Sequence, residues 1–321
     1  SWRDLTALFT HFETQPIPNM FSRWFHFMPR VFLKFGVLFN HFVELVVPFF
    51  FFGTRPFRFW AAMCTILFQV VLIISGNLSF LNWLTVLACL PLLEDGVWKR
   101  ILPQSLWEKG SSFPAVKGRP ILDYLRQFSL VLLVGMVLYY SVFPIRNMLG
   151  PKQVMNRSYN AFHLVNTYGA FGSVGTIRRE LILYGTMDRV ISDQTQWLEY
   201  DFYAKPGDPS QRPRWFAPYH YRLDWQIWFA AMSPYYQNPW LVHLVKKLLE
   251  GQEVVLDLLP YDPFQGQLPT YIKVDLYAYQ FAPLFGPEKR YWNRRYVGSY
   301  LPPLSKEMPA LNGFLKQFGW E

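Results

Sequence analysis

Apolar residues gather into four long runs in the first half of the chain and give way to short alternating stretches in the second. Residues 31–52 form a run long enough, at 1.5 Å rise per residue, to cross a hydrocarbon core of about 30 Å as a helix. Residues 59–75 follow a turn at 53–56, and residues 80–93 follow a second turn at 76–79. That third run is short, so it is expected to tilt little, to enter without crossing, or to be continued by its flanks. The fourth, residues 128–143, carries Leu, Val and Met without a charge. Ahead of them, residues 2–30 alternate Trp, Phe, His and Arg with Pro16, Pro18 and Pro29, which predicts a membrane-interface belt rather than a span.

Past residue 145 the pattern changes. Residues 161–168, 180–184, 197–204, 271–281 and 291–300 are rich in aromatic and β-branched side chains and are separated by turn formers, so they are expected to pair into a sheet. Between them lies a helical pair. Asp224 is placed to cap the first helix, which runs from Trp225 to Met232 and stops at Ser233-Pro234. The second has Asn238 as cap, Pro239 in its first turn and Gly251 past its end, with Leu241, Leu244, Val245, Leu248 and Leu249 on one face. The expected fold is therefore a membrane α-helical half, residues 1–145, with about four transmembrane or membrane-embedded helices. An α+β domain follows at residues 146–321, mainly β-sheet with a helical pair.

Basic residues set the orientation. Arg55 and Arg58 lie in the first turn, and Lys99, Arg100, Lys109, Lys117, Arg119 and Arg126 lie in residues 94–127, so these segments should face the cytosol. The opposite, lumenal side then receives two N-glycosylation sequons, at Asn77 and Asn156, and everything from Ile145 onward. Asn77 sits in a tight turn close to the bilayer, so Asn156 is the favoured acceptor.

The chain has 321 residues and a formal charge of +9. The basic residues fall between apolar runs rather than along one polar face with stacking aromatics, which argues against nucleic acid as a partner. Cys64 and Cys89 are the two cysteines, both inside apolar runs, so no disulfide framework is expected. The start, SWRDLTALFTHF, lacks an initiator Met and the order of a signal peptide, and reads as a fragment of a longer protein.

Candidate chemistry is sparse. Lys34, His41 and Glu44 return to one side of the first predicted helix, and intramembrane ionisable groups mark sites by default. They fit either a proton-handling centre or, the favoured reading, a snorkelling lysine beside two helix-holding polar groups. The stretch GAFGSVG at residues 169–175 matches neither a phosphate loop nor a nucleophile elbow and is read as a glycine turn. His163, His220 and His243 have no His or Cys neighbour at ligand spacing, so no metal, cofactor or catalytic residue is assigned. Tyr219, Tyr221, Arg222, Trp225 and Trp228 form an aromatic block suited to partner contact, although the spacing from Trp225 to Phe229 favours a buried helix face. Arg178, Arg179, Lys246 and Lys247 read as solvated.

HFETQPIPN at residues 11–19, VELVVPFFFF at 43–52, GNLSFLNWLT at 76–85, HLVNTYGAFGS at 163–173, KPGDPSQRP at 205–213, YHYRLDWQIWFAA at 219–231 and PPLS at 302–305 occur in an order that resembles the lipase maturation factor family. The resemblance implies a multi-pass protein of the endoplasmic reticulum membrane that helps secreted lipases of the lipoprotein lipase type to fold and assemble as dimers. Its implied partners are those lipases, the folding machinery of that compartment and membrane lipid; it supplies no catalytic residues. Some family members have cysteines flanking the KPGDPS stretch where this chain has Ala204 and Arg214, so thiol exchange is not expected there. The membrane half also resembles, distantly, the helical domain of the vitamin K-dependent carboxylases, which keeps an intramembrane enzyme as the alternative.

Overall fold

The computed structural model describes residues 1–111, 120–151, 158–166, 172–286 and 289–320. By packing they form two units, one made of residues 1–94 with 174–321 and the other of residues 95–173. Packing thus joins residues from both sides of the division expected at 145.

The first unit begins with two short helices, α1 (Leu8–Thr14) and α2 (Ser22–His26). The first apolar run becomes α3 (Arg30–Leu45), interrupted at Val46 and continued by α4 (Val47–Phe50). Pro48 accounts for the interruption, because it offers no N–H and crowds the carbonyl one turn back. A tight turn leads to α5 (Arg55–Ser75), and both Arg30–Phe50 and α5 are long and apolar enough to cross a membrane. They pack antiparallel: Val43 and Val47 meet Ala61, and the rings of Phe39 and Phe68 lie 5.9 Å apart. The third run forms α6 (Leu81–Cys89), closed by a 3₁₀ turn at Leu90–Leu92 where Pro91 intervenes. At 1.5 Å per residue it reaches about 18 Å, and Leu93 and Glu94 carry the chain on to the start of α5, where Glu94 Oε1 lies 3.4 Å from Arg55 Nε. Asn82 ties it to α5 by donating to Gln69 Oε1 at 2.6 Å.

The second unit contains α7 (Asp95–Ile101), α8 (Gln104–Ser111) and α9 (Pro120–Leu149), the third helix able to span. Residues 94–127 are therefore helical over much of their described length. The strand expected at 161–168 is absent from described residues 161–166, where Asn160 Oδ1 instead accepts from the backbone N–H groups of Phe162 and Leu164. Residues 167 and 168, and the favoured sequon residue Asn156, lie outside the described residues.

The remaining strands pair antiparallel in the order β2-β1-β3-β4, with β1 at Arg178–Thr186, β2 at Leu198–Tyr200, β3 at Tyr271–Phe281 and β4 at Trp292–Leu304. Helices α10 (Arg222–Ala230), α11 (Pro239–Leu249), α12 (Glu253–Leu256) and α13 (Pro309–Lys316) belong to the same domain. The core on one sheet face sets Leu181, Leu183, Ile272 and Val274 against Ile227, Leu241, Val245 and Leu315. The other face buries Ile182, Tyr279, Phe281 and Trp292.

Two expected caps do other work. Helix α10 starts at Arg222, and Asp224 Oδ1 accepts the backbone N–H groups of Ala204 and Lys205 at 2.7 and 2.9 Å, well away in sequence. Asn238 precedes α11 but donates to Ser233 Oγ, the Pro234 carbonyl and Tyr300 OH rather than capping the helix. Gly251 does take the left-handed conformation after α11, with φ +64°.

Candidate functional site: the joint between the membrane helices and the sheet

The last carbonyls of an α-helix have no partner within it. In α5 they are met by side chains from residues 15–22. Gln15 Nε2 donates to the Ser75 carbonyl at 3.0 Å, Ser22 Oγ donates to the same carbonyl at 2.7 Å, and Asn19 Nδ2 donates to the Ile74 carbonyl at 2.9 Å. Asn19 Oδ1 in turn accepts from the backbone of Phe21 and Ser22. The approach is so close that a Cβ at Gly76 would overlap Gln15 Oε1. Of the segment expected as an interfacial belt, residues 11–19 and Ser22 form a strap buried in protein. Its polar residues are needed there because a helix end is being capped, a role that composition alone does not reveal.

Asn77, directly beyond α5, is 2% exposed. Its Nδ2 donates to the carbonyls of Arg214 at 2.8 Å and Pro18 at 3.4 Å, while its Oδ1 accepts from the N–H groups of Phe216 at 2.9 Å and Ala217 at 3.2 Å. The amide is fully engaged, which leaves this candidate sequon no room for a glycan in the folded chain.

Charges complete the joint. Arg178, expected on a solvated face, is buried: its guanidinium donates to the carbonyls of Glu13 at 2.8 Å and Pro16 at 2.9 Å, and pairs with Glu180. Lys205 Nζ lies 3.4 Å from the other Glu180 oxygen and donates to the Pro206 carbonyl at 2.9 Å. Glu13 Oε2 accepts the Phe281 N–H at 2.7 Å and lies 3.7 Å from His26 Nε2. Two cations thus face two carboxylates, a balance that burial requires. Burial pushes the Glu13 carboxyl up, opposed by the Phe281 N–H and Arg178, and pushes the His26 imidazole down. The buried His11 imidazole is pushed down to about 4 for the same reason. The sequence signal was available: Arg178 and Glu180, two apart on one strand, must share a face. Arg179 is exposed and Lys247 pairs with Glu250 at 3.0 Å.

The aromatic block divides. The buried face of α10 is Asp224, Ile227 and Ala230, whereas Phe229 is exposed, so the expected Trp225–Phe229 face is not the buried one. Trp228 Nε1 donates to the Thr14 carbonyl at 3.1 Å and so belongs to the joint. Trp225 lies 5.4 Å from His220. Tyr221 stacks on Tyr203 at 5.0 Å and meets Tyr219 at 4.7 Å, with Tyr219 65% exposed and Arg222 also open to solvent.

Lys34, His41 and Glu44 do not form a centre. Lys34 is exposed, Glu44 Oε2 accepts from Asn40 at 3.2 Å, and His41 Nε2 lies 3.1 Å from the Trp2 carbonyl. Seven residues of helix separate Lys34 from His41 by about 10 Å. Of GAFGSVG, residues 169–171 lie outside the described residues.

Two family models match separate parts of the chain. Residues 1–100 match the family described as Lipase maturation factor transmembrane domain, and residues 164–302 match Lipase maturation factor C-terminal domain. The chain is 42% identical to human (Homo sapiens) Lipase maturation factor 1 over 99% of its own length and 58% of that protein's. It is likewise 42% identical to Lipase maturation factor 1 of Mus musculus, over 99% of this chain and 58% of that one. Lipase maturation factor 2 of Gallus gallus is 28% identical, again over 99% of this chain and 58% of that protein. No solved structure matches. The chain spans a little under three-fifths of the length of these curated relatives, 58%.

Proposed function

The chain belongs to the lipase maturation factor family, and on that premise we propose that it serves lipase maturation as a non-catalytic assembly factor. It helps secreted lipases of the lipoprotein lipase type to fold and to assemble as dimers. The observation that carries this reading is the joint. Four of the stretches that resemble the family, at residues 11–19, 76–85, 205–213 and 219–231, converge on one set of bonds that locks the sheet domain to the α3–α5 hairpin. Such a construction suits a protein that must present a rigid surface beside a membrane rather than perform a bond-making step.

In this proposal the protein resides in the endoplasmic reticulum membrane with residues 145–321 in the lumen and residues 94–127 in the cytosol, because the basic residues and the Asn156 sequon assign opposite sides. The exposed Tyr219 and Arg222, backed by Tyr221, Trp225 and Trp228, form the surface offered to a client. A full-length relative ending at the position of Gly150 should insert but should not raise the yield of active lipase on co-expression. Full rescue by that membrane half would move the function into the bilayer. A client that then carried a new covalent mass would support the carboxylase-like alternative instead.

A further inference from the structure

The turn at residues 51–54 folds α3–α4 back on α5, so the start of α3 at Arg30 and the end of α5 at Ser75 lie at the same end of the hairpin. This places two outlying parts of the sheet domain at a defined height. Arg214 is bonded to Asn77, two residues past α5. At the other contact, Arg23, seven residues before α3, donates from Nε to the Ala282 carbonyl at 2.8 Å and from Nη2 to the Pro283 carbonyl, holding the end of β3 and the start of the β3–β4 connection.

Both places carry bare aromatic and basic side chains. Phe285, just beyond Pro283, is 89% exposed; its ring lies 6.3 Å from that of Trp24, itself 52% exposed, and Phe27 and Met28 are exposed beside it in the chain. By Asn77, Trp215 and Tyr219 are exposed, and Trp215 touches Phe21 at 6.0 Å between ring centres. Arg212 and Arg214 are exposed too, with no hydrogen bond or ion pair from their guanidinium groups among the described residues. Trp, Tyr and Phe bordered by arginine are the side chains that settle at the headgroup level of a bilayer, where the ring is partly dehydrated and the guanidinium meets phosphate.

We propose that the sheet domain rests on the phospholipid headgroups of the leaflet in which α3 begins and α5 ends, through Phe285 with Trp24 on one side and through Trp215, Tyr219, Arg212 and Arg214 on the other. The partner is lipid rather than a protein because each patch is tied by hydrogen bonds to a residue within seven positions of a spanning helix. The bilayer surface therefore lies against it whenever those helices are inserted. Tyr219 then marks the edge at which the client surface of the proposed function meets the headgroups, and a client approaching Arg222 meets the domain at the membrane surface.

The test is photo-crosslinking of the full chain in phosphatidylcholine nanodiscs, with benzoyl-phenylalanine introduced singly at Phe285, Tyr219, Phe35 and Val190. Phe35 lies in a spanning helix, and Val190 lies exposed in the β1–β2 connection, beyond the end of β1 opposite to Arg178. Expected are lipid adducts at 285 and 219 comparable with those at 35, and only background at 190. Arg212→Gln with Arg214→Gln should lower the adduct at 219 and leave that at 285 unchanged. Lipid adducts at 285 and 219 no greater than at 190, or adducts to protein alone in cell membranes, would overturn the proposal.

Discussion

Replacing Arg178 with Met should loosen the joint more than any other single change of similar size. The native guanidinium serves three carbonyls of the strap, those of Glu13, Gln15 and Pro16, and pairs with Glu180 in a fully buried setting. Met fills much of the volume but donates nothing, so Glu180 keeps only Lys205 at 3.4 Å. Breaking one side of a buried pair costs about 3–5 kcal/mol, and the orphaned carbonyls add to that only in part, since the released strap can find water. A loss of about 4 kcal/mol is expected. The charge balance gives a second arm: Arg178→Met with Glu180→Leu removes one cation and one carboxylate, leaves Lys205 and Glu13 as one charge of each sign, and should recover about 2 kcal/mol over the single variant. Denaturant unfolding of the sheet domain in nanodiscs gives both numbers, and proteolysis within residues 11–22 reports strap release. A single variant within about 0.5 kcal/mol of the parent, or a double variant weaker than the single, would refute the reasoning, because neither fits a buried cluster held by mutual compensation.

Asn77→Ala deletes four bonds from a buried amide and should cost about 3 kcal/mol, with hydrogen exchange rising at Phe216 and Ala217; unchanged protection there would count against the clamp. Gly251→Val places a β-branched residue at φ +64° and drives its Cβ into Leu268, so a loss of about 2–4 kcal/mol is expected, read as a lower melting point. His11 is held neutral by burial, its pKa brought down from 6.5 to about 4. A lowered base contributes stability that is present above pH 6.5 and is lost as pH falls toward 4, about 3 kcal/mol in all. Glu13 and Asp224 are raised by burial and act the opposite way, favouring the fold as they protonate. His11→Phe should therefore flatten the decline between pH 6.5 and 5, and an unaltered profile would exclude His11 as its source.

The spans were legible because each long apolar run leaves helix as the one way to satisfy its backbone in a bilayer, and α11 was legible through its leucine face and Gly251. Strands β3 and β4 declared themselves by aromatic content, whereas residues 161–166 share that content and form no strand. The joint was not legible in the same way. Asp224 and Asn238 have the residue type of local caps, yet their partners are Lys205 and Tyr300, brought near only by the tertiary fold. The strap residues Gln15, Asn19 and Ser22 look like loop polarity until the end of α5 is placed beside them. Arg178 could have been placed with Glu180 by strand alternation, but their burial depends on the strap and on Lys205, and no local window contains all of these.

The central claim is that these bonds hold the sheet domain in a fixed setting on the membrane helices and that lipase maturation depends on that setting. The direct test is the yield of active dimeric lipase per unit of membrane-inserted factor, measured for a full-length relative carrying Arg178→Met and for the same relative carrying the charge-balanced double change, Arg178→Met with Glu180→Leu. The account predicts a large loss of yield with the single change and recovery with the double change, in step with the stability of the joint. Full yield from a variant whose strap is demonstrably released, or a stable double variant that gives none, would contradict it.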